Sequence, residues 1–516
     1  MNTFKSITGD DTMFTVNEIV RAMCGELISG CDSAQFSSFS KDTRDIKNGD
    51  FYIPLIGEKF DGHDYILDAI EKGALGFCIS KKYQAGKALI KEISGINRTL
   101  CSGGVLTPAE LRDRYPATRV HPPLKKWRSC TRGSRINKEI VIIEVDDTLL
   151  ALQELARYNR NKKSHIKLIA VTGSVGKTST KEMIYSVLEK GFRVLKTEGN
   201  LNNHIGLPLT LLRLNDEDVC IVEMGMNNLG EIGFLSKLAK PDIAVITNIG
   251  VAHIGNLGSQ ENIYKAKTEI LDGLKEKGIV VVNGDDKYLK TLQSSRNFDV
   301  IKYGLENDDV EIKATNISIE NETTSFYVGD KQYKLNSVGK HNIYNALCGM
   351  VIGKKLNLSE ELIQEGYRDY KNEKMRMQHI HIKNDILFIN DAYNANYDSM
   401  RAGIEAVAEM KAKRKIIVLG DMFELGEFSK EHHENIGEIC VQNKIDILIT
   451  CGKEAVHISN AAQRSLRNSV YHYDYKRDAI NKLKDIINEG DIVYFKASRG
   501  MKFEELVNEL IKHFGG

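Results

Sequence analysis

Proline and tryptophan are scarce: the 516 residues contain seven prolines and one tryptophan. That excludes a proline-rich linker architecture or a collagen-like repeat. The nine cysteines form no Cys-x-x-Cys pair, so neither a disulfide framework nor a thiolate zinc site is indicated. Most are expected to be small buried apolar residues. Neither sign of charge dominates: 71 basic residues stand against 70 acidic ones. No global field therefore attracts nucleic acid or anionic lipid, and nucleic acid is not an expected partner. Long apolar runs are missing too, none approaching the ~20 residues of a membrane span. The start, Met1 to Asp10, lacks the charged and apolar regions of a signal peptide, so a cytoplasmic location is expected.

What is present is a repeating alternation of short branched apolar runs with helical patterns. From Lys167 onward the runs are Leu168 to Val171, Val219 to Val222, Ile243 to Thr247, Ile279 to Val282, Ile416 to Leu419, Ile445 to Thr450 and Ile492 to Phe495. Such alternation predicts parallel sheets covered by helices, an α/β fold. The length suits about three domains, and we place their boundaries near 147 and 373, giving 1–147, 148–372 and 373–516. Two stretches, Val310 to Glu320 and Thr323 to Leu335, read as antiparallel strands appended to the middle domain. A hairpin from His379 to Asn390, turning at Asn384-Asp385, opens the last domain.

The strand Leu168 to Val171 breaks into Thr172-Gly-Ser-Val-Gly-Lys-Thr178, followed by a helical pattern from Lys181 to Glu189. Strand, glycine turn and helix N-terminus place backbone N–H groups from Gly173, Ser174, Val175, Gly176 and Ser179 around one phosphate, helped by the helix dipole. Lys177 reaches the outer phosphates of a nucleotide, and the Thr178 hydroxyl ligates Mg²⁺. Gly173 and Gly176 are three apart, where the usual phosphate loop spaces its glycines by five, so the loop is a shortened variant.

Further motifs follow at strand ends, where open α/β sheets bind ligands. Glu223, after Val219 to Val222, is a candidate Mg²⁺ ligand facing Thr178. Thr247-Asn-Ile-Gly-Val-Ala-His253 ends the next strand, and Lys267 lies on the helix beyond it. His253 is a candidate ligand of a second metal. Lys267 becomes chemically interesting if desolvation leaves it neutral enough to add carbon dioxide, giving a carbamate for Mg²⁺; the plainer reading is a solvated surface charge. Asn283, Asn342 and Asn345 offer amides, and His341 an imidazole, to an adenine edge; Arg376 has forked donors for a transferring phosphoryl group, and Asp391 sits at another strand tip.

Residues 97–136 break the compositional pattern. They hold four of the seven prolines, the one tryptophan, Trp127, and seven arginines. Ile96-Asn97 recurs as Ile136-Asn137, and excising residues 97–136 joins Ile96 to Asn137 ahead of a strand. We expect a 40-residue insertion in a surface loop, which loop-closure entropy tolerates. A functional basic loop is the competing reading.

With these motifs in order, the chain resembles the Mur ligase family of ATP-dependent amide ligases, whose shortened loop T-G-T/S-x-G-K-T matches Thr172 to Thr178. The strings Asp42-Thr-Arg44, Phe60-Asp-Gly-His63, Asp391-Ala-Tyr-Asn-Ala-Asn396, Leu419-Gly-Asp-Met-Phe-Glu-Leu-Gly426 and Lys496-Ala-Ser-Arg-Gly-Met-Lys502 point to the branch that joins D-alanyl-D-alanine to UDP-MurNAc-tripeptide. The resemblance implies a central phosphate-loop ATPase domain, flanked by an N-terminal UDP-sugar-binding α/β domain and a C-terminal Rossmann-like α/β domain. It puts Thr43 and Arg44 near the uridine diphosphate, and Lys177, Thr178 and Glu223 on Mg-ATP. His253 falls at a second magnesium, and the step to Lys267 matches the family's spacing to a carbamylated lysine. Asn283, Asn342, Asn345, Arg376 and Asp391 fall on nucleotide positions, while Asn394, Asn396, Ser498 and Arg499 are weaker assignments to the amine substrate. A monomer is expected. Tyr397 stands where the family usually has proline. A sister ligase adding another amino acid is the nearest alternative, although the Asp-Asn-Pro-Arg signature of the diamino-acid ligases is absent. A nucleotide-gated binding module is the alternative of a different class.

Overall fold

Parallel strands with uninterrupted apolar sequences become the centres of three sheets, as burial on both faces requires. The computed structural model describes residues 13–101, 139–320, 323–466 and 469–515. The chain divides into two compact units, Met1–Ile166 with Thr197–Glu217, and Lys167–Lys196 with Asp218–Gly516.

In the first unit a five-stranded sheet runs in the order Glu26–Ser29, Val141–Val145, Gly76–Ser80, Phe51–Tyr52, Phe39–Ser40. All its pairs are parallel except that of the edge strand Glu26–Ser29. Tyr52, Ile66, Phe77, Ile79, Ile93 and Ile142 form its core. The helix Gly86–Cys101 covers residues 97–101 of the expected insertion; Trp127 and the prolines of that segment lie outside the described residues. Asn97 is buried, and its side-chain amide donates to Ile140 O at 2.8 Å and to Ser29 Oγ at 2.9 Å while accepting from Ile140 N at 2.8 Å. Helix Thr148–Lys162, capped by the Asp147 carboxylate accepting from Leu150 N, packs with helix Gly206–Leu212 in this same unit.

The second unit carries a nine-stranded and a six-stranded sheet. In the larger one, Lys167–Thr172 lies between Val219–Glu223 and Ile243–Ile246, parallel to both. All three carboxyl ends therefore open at one edge. The strands read from sequence as an appendage instead continue this sheet. Ile312–Glu320 pairs in parallel with Phe298–Gly304, and Thr323–Val328 and Lys331–Leu335 then add antiparallel. Their alternating side chains put Ala314, Phe326, Tyr333 and Leu335 into the same core as Ile169 and Ile343. The smaller sheet orders Gln378–Ile382, Ile386–Asn390, Asp491–Lys496, Arg414–Gly420, Ile447–Cys451 and Val470–Tyr473. Its first two strands form the expected hairpin, with Asn384 and Asp385 left-handed at φ 61° and 56°. The register pairs Ile382 with Ile386, so the turn is the three-residue loop Lys383, Asn384 and Asp385. Of the cysteines, Cys78, Cys220, Cys348, Cys440 and Cys451 are buried, whereas Cys24 and Cys31 are exposed.

Candidate functional site

The phosphate loop is fixed from both sides. At Gly173, φ is +149°, and a Cβ there would fall on Thr247 Oγ1, so only glycine fits. Gly176, at φ 82°, caps helix Lys177–Leu188. Between them Val175 N donates to Asn248 Oδ1 at 3.0 Å, and Val175 O accepts from Asn248 Nδ2 at 2.9 Å and Thr247 Oγ1 at 2.6 Å. Ser174 N donates to Asn248 O, and the Ser174 hydroxyl accepts from Gly250 N; the N–H groups of Ser174 and Val175, expected around the phosphate, are thus taken by Asn248. Lys177 Nζ donates to Gly173 O at 2.8 Å. Burial pushes its pKa down and Arg376 adds to this, while Glu223 opposes it.

Thr178 and Glu223 meet as expected, with Thr178 Oγ1 donating to Glu223 Oε2 at 2.9 Å. Both are buried. Two hard oxygens beside a phosphate cradle suit Mg²⁺, which binds through few protein ligands and completes its shell with phosphate and water. Among the described residues no group of three or more His, Cys, Asp and Glu comes together as a metal cluster. Lys267 is not a solvated surface charge. It is fully buried, its Nζ has no hydrogen-bond partner, and its pKa lies well below the ordinary lysine value. Burial is the main cause; Lys177 adds to it, and Glu223, Glu231 and Glu269 oppose it. Glu269 is held by Gly230 N and Gly233 N, and Glu231 by Asn227 N. A neutral amine, orphaned close to the phosphate loop, is the state that reacts with carbon dioxide. His253 is the left-handed residue, φ 63°, before the short helix Ile254–Leu257, and its Nδ1 lies 2.8 Å from Glu424 Oε2. That contact sets the Glu424 carboxylate directly against the ring nitrogen.

Beside the loop opens a cleft lined by Val175, Gly176, Ser179, Asn283, Tyr303, His341, Asn342, Asn345, Arg376, Asp391 and Lys496, whose convergent amides and charged groups suit a nucleotide. Asn345 Oδ1 accepts from Thr180 Oγ1 at 2.7 Å, Asn345 Nδ2 donates to Asn342 Oδ1, and Asn342 Nδ2 donates to Ser337 Oγ. These amides thus brace helix Lys340–Lys355 against the phosphate-loop helix while lining the cavity. The Arg376 guanidinium lies 4.2 Å from the centre of the Tyr393 ring. Asp391 is held by Met377 N, Tyr494 OH and Lys496 Nζ, the last at 2.5 Å.

The four residues assigned to the amine substrate behave differently from one another. Exposed Asn394 accepts at Oδ1 from Arg499 N at 3.3 Å, whereas buried Ser498 accepts from Phe423 N at 2.9 Å. Asn396 serves the fold, as the N-cap of helix Tyr397–Glu409 in a capping box with Ser399. Tyr397, the departure from proline, starts that helix and lies tilted against His432 with ring centres 5.0 Å apart. In the first unit, Arg44 is exposed and forked onto Asp42, and Thr43 O accepts from Lys72 Nζ.

Sequence reasoning gave no role to Asn248, Asp398, Glu424 and Lys496, whereas His341, read as suited to an adenine edge, does line the cavity. Asn248 and Glu424 stand inside strings already singled out, Thr247 to His253 and Leu419 to Gly426, yet nothing local distinguishes a clamping amide or a docking carboxylate from an ordinary turn residue.

Known proteins bear directly on this arrangement. The Mur ligase middle domain matches residues 171–353, and the Mur ligase glutamate ligase domain matches residues 375–499. The UDP-N-acetylmuramoyl-tripeptide--D-alanyl-D-alanine ligase of Bacillus subtilis is 35% identical over 96% of this chain and 98% of its own. The Escherichia coli enzyme of the same name is 31% identical over 96% and 98%. Among solved structures, MurF from Acinetobacter baumannii superposes with a TM-score of 0.79 at 26% identity, covering 97% of this chain and 99% of that one. The ADP complex of MurF from Thermotoga maritima gives 0.72 at 26% identity over 92% and 97%. With phosphate loop, carboxylate, buried lysine and nucleotide cavity in the same chain, the protein belongs to the Mur ligase family of ATP-dependent ligases that form peptide bonds.

Proposed function

We propose that this chain joins D-alanyl-D-alanine to UDP-MurNAc-tripeptide, driven by ATP, in the synthesis of peptidoglycan precursors. A free carboxylate does not condense with an amine in water without activation. The tripeptide's terminal carboxylate attacks the γ-phosphorus of ATP, giving an acyl phosphate and ADP; the amine of D-alanyl-D-alanine then attacks the acyl carbon, phosphate leaves, and the amine's proton passes to solvent. The loop's backbone N–H groups other than those of Ser174 and Val175, which Asn248 takes, and the Lys177 ammonium hold the phosphates, and Arg376 meets the charge that builds on the transferring group. Thr178 and Glu223 would hold Mg²⁺, with His253 and Lys267 at a second ion; when bound, these ions neutralise phosphate charge. Uridine diphosphate is read by Thr43 and Arg44, and the amine substrate by Asn394, Ser498 and Arg499. We take the working unit to be a monomer and place the reaction in the cytoplasm.

The observation that carries this reading is the shortened phosphate loop packed against Glu223 and the partnerless Lys267. ADP release measured with each substrate alone and with both decides it: release is expected only when both are present. Release with a different amine would make this a sister ligase, and release without any acceptor would favour the nucleotide switch. For Lys267 we propose the carbamate: the neutral amine forms an N–C bond to carbon dioxide and loses one proton. After equilibration with ¹³C-bicarbonate, a carbamate carbon resonance is expected in the wild type and not in Lys267→Met. A folded wild-type protein without that resonance would sink the carbamate.

A further inference from the structure

The segment that carries His253 is held by two carboxylates from the other side of the second unit. Asp398, in the first turn of helix Tyr397–Glu409, accepts from Val251 N at 2.8 Å. It lies so close to Gly250 that a Cβ there would collide with its carboxylate. Glu424 reaches His253 Nδ1 at 2.8 Å, and its carbonyl accepts from Gly255 N at 3.3 Å. A Cβ on Gly255 would stand 2.8 Å from Glu424 O and 2.9 Å from Gly426 N, so two turns lie back to back where glycine is required. Glu424 is itself left-handed, at φ 64°. Its turn is anchored by Met422 N donating to His433 Nε2 and Phe423 N donating to Ser498 Oγ. From the phosphate-loop side, Ser174 Oγ takes Gly250 N. The loop from Ile249 to Gly255 is thus clamped between the nucleotide cradle and the C-terminal sheet.

A histidine that ligates a metal through one ring nitrogen is normally oriented by a carboxylate at the other. We infer that Glu424 is the positioning residue for His253, and that Glu424 and Asp398 together make the second cation site complete only when the C-terminal part of the unit is docked on the loop from Ile249 to Gly255. This rests on His253 being a cation ligand. The dock links two events that the reaction must keep in order: the second ion is held at full strength only once the part of the chain carrying Asn394 and Arg499 is in place. Asp398 acts on the backbone and Glu424 on the ring, so their removal has different signatures.

The test is Mn²⁺ titration of the full chain with a non-hydrolysable ATP analogue, followed by electron paramagnetic resonance, with thermal unfolding to confirm that each variant is folded. Wild type is expected to take two ions and His253→Ala one. Glu424→Gln should weaken the second ion 10- to 100-fold, leave the first unchanged, and have no further effect in the His253→Ala background. Asp398→Ala should also weaken the second ion, with a larger radius of gyration by X-ray scattering. A folded Glu424→Gln protein whose second ion binds within twofold of wild type overturns the inference. Two ions retained in His253→Ala would instead remove the ligand assignment on which it rests.

Discussion

Deleting residues 98–137 leaves the same sequence as deleting 97–136, because Ile96-Asn97 recurs as Ile136-Asn137. The structure says what that product gains. Asn97 grips both backbone groups of Ile140, so the ends of the segment are already pinned together. Bond lengths put their Cα atoms roughly 7 Å apart, within the ~10 Å that three peptide links can span. The deletion shortens the connection between Asn97 and Ile140 from residues 98–139 to Lys138 and Glu139. The closure entropy recovered is (3/2)RT times the logarithm of that ratio, about 2–3 kcal/mol. For a unit of this size that amounts to a rise of about 5–10 °C in its unfolding transition. The assays are scanning calorimetry and substrate-dependent ADP release, and the rate is expected to stay within about twofold of wild type. A folded deletion variant that has lost turnover would refute the insertion and favour the functional basic loop. A lower unfolding temperature would refute the closure argument.

Three substitutions test other parts of the site. Gly173→Ala drives a Cβ into Thr247 Oγ1; we expect a loss of about 1–3 kcal/mol from overpacking and at least tenfold weaker binding of an ATP analogue by calorimetry, and unchanged binding would show that the loop does not cradle phosphate as described. Lys496→Met strips the buried Asp391 of its cation, which should cost about 3–5 kcal/mol in urea unfolding; a loss below about 1 kcal/mol would mean that Tyr494 OH and Met377 N suffice. His341 is held down to about pKa 4 by burial, against an ordinary value of 6.5, so between those values the unfolded chain binds more protons than the folded one. Stability therefore falls as pH drops from 6.5 towards 4, and His341→Gln should flatten that limb of a stability–pH curve. An unchanged acid limb would put its origin elsewhere.

What the sequence makes legible is what neighbours along the chain determine. The phosphate loop follows from a strand, two glycines and a helix start within a dozen residues, and the turn at Asn384-Asp385 from the tolerance of those two residue types for positive φ. The site's other half depends on which strand ends meet. Asn248, Asp398 and Glu424 matter because three loops converge, and no local pattern encodes that convergence. Lys267 is the clearest case: a lysine in Tyr264-Lys-Ala-Lys-Thr268 looks solvated, and only the packed helix buries it without a partner. Asn396 errs the other way. Its spacing to Ser399 is a capping pattern readable from sequence, but the family resemblance drew attention to substrate instead.

The linker that delivers Arg376 shows how the two halves are joined. Met375 and Met377 flank it in left-handed backbone, φ 62° and 44°, a conformation that costs of order 1 kcal/mol or more for each residue and persists only where its surroundings enforce it. Here three hydrogen bonds do so: Met375 N to Gln378 Oε1, Met377 N to Asp391 Oδ1, and Asn372 Nδ2 to Met377 O. Asn372 Oδ1 in turn accepts from Ser337 Oγ, whose oxygen accepts from Asn342 Nδ2; Asn342 Oδ1 accepts from Asn345 Nδ2, and Asn345 Oδ1 accepts from Thr180 on the phosphate-loop helix. An unbroken polar chain therefore runs from the phosphate-loop helix to the backbone on either side of Arg376, and through Asp391 to Lys496 in the C-terminal sheet. Moving the phosphate-loop helix without moving Arg376 would break a buried hydrogen bond somewhere along that chain, at about 1–3 kcal/mol for each group left unpaired. That cost is what ties the position of the arginine to the state of the phosphate site.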